Sequence, residues 1–314
     1  MTLSSDDRQK IETLDSGRYV VQALDQLDEN DLHSVEVLLM ERGEEWLSEK
    51  RLQRMTSLRL FQNVSAGVDH LNFSMIPESV IVCGNVGAYG AQIAEFVFAG
   101  ILYFAKHLRI YHENLKIGIY SKYPIPEFLK GKTIAILGAG GIGKAVAKIS
   151  KSFGMKTIGI NTSGSADNYF EAMTTLDGVD EVVSNSDIIV VALPLTKKTR
   201  NLLNSRRLGL LKENCIIVNV ARGDIIEKQA LYDYLKAHPQ STAAIDVWWK
   251  YPKEDEKFSQ DIPFFELQNF LGSPHISGDV PESTNIAMKQ AIENIERFAE
   301  NMPLKGIMNR NDYS

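Results

Sequence analysis

Two residues in the C-terminal half of this 314-residue chain carry the groups of an acid–base reaction on a small anion. They are Arg222, in Val218-Asn219-Val220-Ala221-Arg222-Gly223-Asp224, and His275, in Ser273-Pro274-His275-Ile276-Ser277-Gly278. A planar, always-charged guanidinium grips a carboxylate at two points and polarises a neighbouring carbonyl. An imidazole that titrates near neutrality hands a proton to an oxygen gaining negative charge, and recovers it in the reverse direction. Singly, each has a plainer alternative, since an Arg after a strand commonly makes a salt bridge and a His after proline commonly bonds backbone. Both, however, follow apolar runs of strand length, as does Pro194 in Val191-Ala192-Leu193-Pro194-Leu195-Thr196. In an open parallel sheet the ligand crevice lies at the carboxyl ends of the strands, so the three can converge.

An earlier segment says what they converge on. Thr133 to Leu137 is an apolar run of strand length, Gly138-Ala139-Gly140-Gly141-Ile142-Gly143 is a glycine turn, and Lys144 to Phe153 changes to helical spacing through Val146, Ala147, Ile149 and Phe153. Gly138 allows the tight turn, Gly140 lets backbone approach a pyrophosphate, and Gly143 lets helix pack on strand. The helix start, with Gly141 and Ile142, offers N–H groups to phosphate. Followed by a second strand at Lys156 to Ile160, the turn predicts dinucleotide binding, against the alternative of a structural turn. Its start some 130 residues into the chain predicts a domain inserted into another. An acid normally ends the second strand and holds the adenosine ribose, yet the chain reads Ile160-Asn161-Thr162-Ser163-Gly164. Loss of that acceptor, and of its repulsion for a 2′-phosphate, favours NADP over NAD. Asn161, Thr162 and Ser163 are the contacts expected there.

The elements that must position these groups follow the same alternation. Ile134–Leu137, Thr157–Ile160, Ile188–Ala192, Ile216–Asn219, Ala243–Val247 and Phe270–Gly272 read as strands of a Rossmann-type doubly wound parallel sheet. Residues 1–92 read as an α/β unit of their own, with strands at Tyr19–Ala23, Val35–Met40, Leu58–Val64 and Val80–Cys83 and a helix at Glu44–Met55. Ser4–Leu14 reads as a helix capped by Ser5 or Asp6, and Met1–Leu3 is too short for a first strand. A glycine-punctuated loop, Asn85–Gly90, leads into a helix at Gln92–His107 that is either a core helix or also a homodimer contact. A last helix, Glu282–Glu300, must pack back on the N-terminal unit if the cofactor domain closes near Asp279.

Bulk properties exclude several classes. Net charge is −6, and the basic residues are dispersed, which argues against nucleic-acid and membrane partners and for a small molecule. Cys83 and Cys215 sit in apolar runs and read as buried thiols of a cytoplasmic protein. Met1–Lys10 has no signal core, and the longest apolar run, Phe96–Ala105, is half of the ~20 residues a span requires. His33, His70, His107, His112 and His238 show no ligand spacing, so no metal is expected.

From about Leu58 to the final helix, the glycine turn, Pro194-Leu195-Thr196 with Thr199, Asn219-Val220-Ala221-Arg222-Gly223, Asp246-Val247 and Ser273-Pro274-His275 fall in one order and spacing. In this the chain resembles the D-isomer-specific 2-hydroxyacid dehydrogenase family, and in Asp246-Val247-Trp248-Trp249 its archaeal-type formate and glycerate dehydrogenase members. The resemblance implies a cofactor domain at 93–281 inserted into a smaller, flavodoxin-like substrate domain of 1–92 and 282–314. It implies hydride exchange between NAD(P)H and a small 2-keto or 2-hydroxy acid such as glyoxylate or hydroxypyruvate. It further implies cofactor contacts at Leu193, Pro194, Thr199, Val220, Ala221, Asp246, Ser277 and Gly278, and backbone N–H groups at Ser65, Ala66 and Gly67 for the substrate carboxylate. The Asn85–Tyr89 loop would close over that substrate.

One departure concerns the acid. The family has a glutamate five residues after Asp246, where it holds the catalytic His protonated, and this chain has Tyr251. Without that carboxylate His275 should titrate near its ordinary value of about 6.5, unless Glu254, Asp255 or Glu256 reaches it. Formate dehydrogenases also lack the glutamate, so formate is an alternative substrate, and a dinucleotide sensor without turnover is a second alternative. Trp248, Trp249, Tyr251 and Tyr89 either crowd a small substrate or, for the tryptophans, pack the domain interface.

Overall fold

The computed structural model describes residues 5–13, 17, 19–23, 25–40, 47–253 and 255–313. The chain divides into two compact units, Met1–Tyr89 with Val280–Ser314, and Gly90–Asp279.

The smaller unit is built on three parallel strands in the order β1 (Val37–Met40), β2 (Leu60–Asn63), β3 (Ile81–Cys83). Helix α1 (Ser5–Glu12) has Ser5 and Asp6 inside its first turn rather than at its cap, while α2 (Glu49–Arg54) is capped by Ser48, whose hydroxyl accepts from the Arg51 N–H. The helix expected over 44–55 therefore starts later, with 44–46 outside the described residues, as are residues 1–3. Phe61, Val68, Leu52 and Val82 form one apolar cluster of this unit. The C-terminal helix, Ser283–Ala299, contributes to two others: Ala287, Met288, Ala291 and Ile292 pack with Val64 and Ala88, and Ile295 packs with Leu60 and Cys83. Buried Asn294 ties that helix in, donating to Gln62 Oε1 at 2.7 Å and accepting from the Lys305 N–H at 2.9 Å. Arg310 closes the tail by donating to the carbonyls of Ile76, Pro77 and Val80. Residues 19–23 form no strand: Tyr19 and Val21 pack on the cluster around Ala287, and Val20 is 85% exposed.

In the larger unit α3 (Gly90–Ala105) and α4 (Leu108–Lys116) precede a seven-stranded parallel sheet. Its strands are β4 (Thr133–Leu137), β5 (Lys156–Ile160), β6 (Ala172–Thr174), β7 (Ile188–Val191), β8 (Ile216–Asn219), β9 (Thr242–Ile245) and β10 (Phe270–Gly272), in the order β10-β9-β8-β7-β4-β5-β6. Every residue of β7 and β8 is buried, which is why they read as unbroken apolar runs rather than as alternation. Edge strand β6 escapes pattern reading because it is three residues long and only partly buried. Strand order reverses where β4 lies between β5 and β7, and at such a switch point the loops leave a crevice at the carboxyl ends.

Helix α5 (Gly141–Ser152) covers β4, and α3 packs on α5, with Phe98 stacked on Phe153 at 5.1 Å. Ten of the sixteen α3 residues are buried, so it is a core helix of this unit. Trp248 and Trp249 are core residues too. Their indole N–H groups donate to Ser273 O at 2.8 Å and Ile226 O at 2.7 Å, and Trp249 stacks on Phe264, so they supply packing in this unit rather than bulk at a pocket. Among the described residues no helix is long and apolar enough to cross a membrane. The thiols of Cys83 and Cys215 are buried, and burial pushes that of Cys83 up to about 11.

A Cβ on Gly143 would lie 2.1 Å from the Gly138 carbonyl oxygen, part of the turn itself and unable to retreat. Gly143→Ala should therefore lower the unfolding free energy by roughly 2 kcal/mol or more, as a backbone clash in a packed core does. Urea denaturation checks this, and an unchanged midpoint would contradict the packing described.

Candidate active site

The turn after β4 is fixed from both sides. The N–H groups of Gly138 and Ala139 donate to the Ile160 carbonyl at 3.1 and 2.8 Å, binding the turn to the end of β5. Gly138 has φ 115°, and a Cβ there would sit 2.5 Å from the Ala192 carbonyl after β7, so only glycine serves. Gly140 is different: a Cβ on it would meet nothing within 4 Å, and as N-cap of α5 it makes no side-chain hydrogen bond. Open space thus faces a helix start whose first amides have no capping side chain, with Gly141 and Ile142 half-buried beside it. These features fit a dinucleotide pyrophosphate. The start of α3 abuts the same place, since a Cβ on Gly90 would lie 3.0 Å from the Gly141 carbonyl oxygen. In that first turn of α3, buried Gln92 has an amide nitrogen with no hydrogen-bond partner among the described residues, a donor that the residue pattern does not mark.

At the end of β5 the Asn161 carboxamide shapes the turn, accepting from the N–H groups of Ser163 at 3.1 Å and Gly164 at 2.5 Å. Ser163 and Ser165 pair their hydroxyls at 2.7 Å, and Thr162 and Ser163 are exposed. Lys144, in the first turn of α5, forms an ion pair with Asp167 at 2.8 Å, and its hydrogen bond holds the Asp167 carboxyl below its ordinary range.

After β7, Leu193 turns into the core and Pro194 is exposed. Buried Thr199 pins this loop, its hydroxyl donating to the Pro194 carbonyl at 2.6 Å and accepting from the Thr196 N–H at 2.8 Å. After β8 the pin is Asn219, fully buried: its amide donates to the Arg222 carbonyl at 2.9 Å and its oxygen accepts from the Ala221 N–H at 3.0 Å. Val220 and Ala221 are buried behind Arg222, which is half-buried and donates to the Ala221 carbonyl at 2.7 Å.

After β9 the pin is Asp246, also fully buried. One carboxylate oxygen accepts from the Ser273 hydroxyl at 2.5 Å and the Ile276 N–H at 3.0 Å, and the other accepts from the Ser277 N–H at 2.9 Å. These bonds bracket His275, whose backbone takes the left-handed conformation with φ 60° while its side chain is exposed. Such a conformation costs on the order of 1 kcal/mol for a non-glycine residue and persists where neighbours over-determine it. Ser277 is buried and Gly278 half-buried at the end of the loop. The Tyr251 ring lies 5.5 Å from the His275 ring, tilted by 36°, and its hydroxyl accepts from the Trp248 N–H at 3.1 Å. Of the three acids named as substitutes for the missing glutamate, Glu256 accepts from the Lys253 N–H at 3.3 Å, Asp255 has φ 67°, and Glu254 lies outside the described residues. Among the described residues no group of three His, Cys, Asp or Glu could hold a metal ion.

In the smaller unit, Ser65, Ala66 and Gly67 form a half-buried turn after β2 whose own N–H groups donate to no acceptor among the described residues. Asn63 and Asn85 brace the turn through Gly67 O at 2.9 Å and Val64 O at 2.9 Å, and Asn85 also donates to Ala287 O at 2.7 Å. The loop expected to close is thus anchored to the C-terminal helix, with Tyr89 half-buried against Ile11, Val64 and Ala287.

Residues 98–277, more than half of the chain, match the model of the D-isomer specific 2-hydroxyacid dehydrogenase NAD binding domain. A D-3-phosphoglycerate dehydrogenase from Methanocaldococcus jannaschii is 29% identical over 82% of this chain and 49% of its own length, so the chain spans about half of that relative. A glyoxylate reductase from Aeropyrum pernix is 29% identical over 82% of this chain and 78% of its own. A putative formate dehydrogenase from Pyrobaculum aerophilum, of solved structure, superposes with a TM-score of 0.86 at 28% identity, covering 100% of this chain and 98% of that one. With a dinucleotide cradle at the switch point, Arg222 and His275 on pinned loops past β8 and β10, and a domain model that spans them all, the chain belongs to the D-isomer specific 2-hydroxyacid dehydrogenase family.

Proposed function

We propose that this protein is an NAD(P)-dependent oxidoreductase for a small 2-keto or 2-hydroxy acid, with Arg222 and His275 at the reacting carbonyl. The observation that carries this reading is the pair of pins: Asn219 and Asp246 fix the loops of both residues at the same end of the sheet as the open cradle at Gly140. A bound nicotinamide dinucleotide supplies the hydride in reduction and receives it in oxidation. The protein's share is charge and proton. The Arg222 guanidinium binds the carboxylate and draws charge toward the carbonyl oxygen. As the carbonyl carbon gains hydride, the His275 imidazolium gives its proton to that oxygen, and in oxidation neutral His275 takes the hydroxyl proton. Leu193, Pro194, Thr199, Val220, Ala221, Ser277 and Gly278 line the loop ends that would bound the dinucleotide, and Asp246 acts through them as a positioning residue. In the smaller unit, the N–H groups of Ser65 to Gly67 suit a carboxylate.

Glyoxylate and hydroxypyruvate are the substrates favoured, in keeping with the glyoxylate reductase similarity. Formate is the second reading, supported by Tyr251 where a carboxylate would hold an imidazolium and by the formate dehydrogenase-like structure. The absence of an acid at the end of β5 favours NADP. A homodimer through the region of the 92–107 helix is part of the proposal; further apolar surface lies just past α4, where Ile117, Tyr120, Tyr123, Ile125 and Phe128 are all exposed, Tyr120 at 83%.

Three outcomes test this reading. Loss of absorbance at 340 nm with NADPH and glyoxylate or hydroxypyruvate should fall by roughly 10²–10⁴-fold in kcat/KM for His275→Ala, whereas NAD reduction by formate with no keto-acid turnover would move the reading to formate. Because reduction needs the protonated imidazole of His275, kcat/KM for reduction should be highest at low pH and decline as the pH rises. A profile flat to about pH 9 would contradict that assignment. Gly140→Ala should lower the melting temperature by no more than a few degrees, the cost of alanine at a helix N-cap with no steric clash, yet weaken dinucleotide binding at least tenfold by isothermal titration; unaltered affinity would remove the cradle from the site.

A further inference from the structure

We propose that Lys144 is the cation that selects for a 2′-phosphate on the dinucleotide, held by Asp167 until that phosphate arrives; this rests on the NADP reading above. The end of β5 presents hydroxyls and amides but no carboxylate, and residues 161–165 carry no Lys or Arg to meet a dianion. The counter-charge comes from across the turn. Gly138 and Ala139 bond the Ile160 carbonyl, so the start of α5 and the end of β5 form one assembly, and Lys144 stands in the first turn of that helix. Its ammonium reaches Asp167 at 2.8 Å and lies 5.9 Å from the centre of the Tyr169 ring. Asp167 belongs to the same loop as the Asn161–Ser165 turn, closed by the Ser163–Ser165 hydroxyl pair and by Asn161 Nδ2 donating to Ser165 O at 3.4 Å. The other cation directed at this loop, Lys151, is committed to the Asn168 carbonyl at 2.7 Å.

The pair is suited to exchange. Lys144 keeps 43% of its side chain exposed, and an exposed pair of this kind is weakly held. A phosphate near −2 competes for the ammonium better than one carboxylate and offers more acceptor oxygens to the Ser163 and Thr162 hydroxyls. Asp167 then retains its bond from the Tyr169 N–H at 2.9 Å, so the loop keeps a tie when Lys144 turns away.

Binding of NADPH and NADH, measured by titration calorimetry without substrate, separates the possibilities. Lys144→Met should weaken NADPH about tenfold, leave NADH within about twofold, and flatten the salt dependence of NADPH binding; Lys144→Arg should retain the discrimination. Asp167→Asn should leave NADH unchanged and tighten NADPH by removing the competitor. Equal losses for both dinucleotides in Lys144→Met, or none, would overturn the role of Lys144 and identify the pair as a loop tie. A wild-type preference for NADH would instead overturn the NADP reading, and the NADPH-only effect of Lys144→Met still decides the residue's part in what NADPH binding remains.

Discussion

A single buried carboxylate, that of Asp246, holds the chemical end of the larger unit together. It sits at the end of β9, between the strands that deliver Arg222 and His275, and spends both oxygens on the loop around the histidine. Burying a charge is costly unless it is fully hydrogen-bonded, and here two backbone amides and a hydroxyl do the bonding. In return the loop is locked into a conformation that a histidine rarely adopts, with the imidazole turned outward beside Tyr251. Asn219 does the same for Arg222 with an uncharged amide. Side chains on loops keep a fixed geometry when buried polar groups of rigid strands anchor their backbones.

The same division runs through the cofactor end. Gly138 and Gly143 are glycines because backbone occupies the space of a side chain, whereas Gly140 is bare over open space. The first two serve the fold, and the third leaves room for a ligand. Residues 161–165 form a turn stabilised from within by Asn161, so its hydroxyls are presented without a carboxylate among them.

Much of this was legible in the residues themselves. The apolar runs at Ile134–Leu137, Ile188–Val191 and Ile216–Val218 announce buried parallel strands because they are short, rich in β-branched residues and unbroken by polar alternation, as a sheet covered on both faces requires. The glycine turn is legible because its spacing is a steric requirement. What could not be read depended on tertiary partners. Ala172–Thr174 becomes a strand only because β5 offers an edge, and Tyr19–Ala23 has the apolar, β-branched look of a strand yet forms none. Asp246 and Thr199 fall within recognisable motifs, but their work as loop pins depends on groups far along the chain or on the turn's own geometry. The tryptophans look like pocket walls until their indole N–H groups are seen bonded inside the core. The Lys144–Asp167 pair has no motif at all, since it joins a helix start to a loop beyond the next strand.

The central claim is that hydride passes directly to the carbon of a 2-keto acid. Incubating the protein with glyoxylate and NADPH deuterated at the transferable position of nicotinamide C4, then analysing the product by mass spectrometry, tests it most directly. The account predicts glycolate carrying one deuterium on the carbon bearing the hydroxyl. Unlabelled glycolate, or no glycolate while the dinucleotide remains tightly bound, would contradict it.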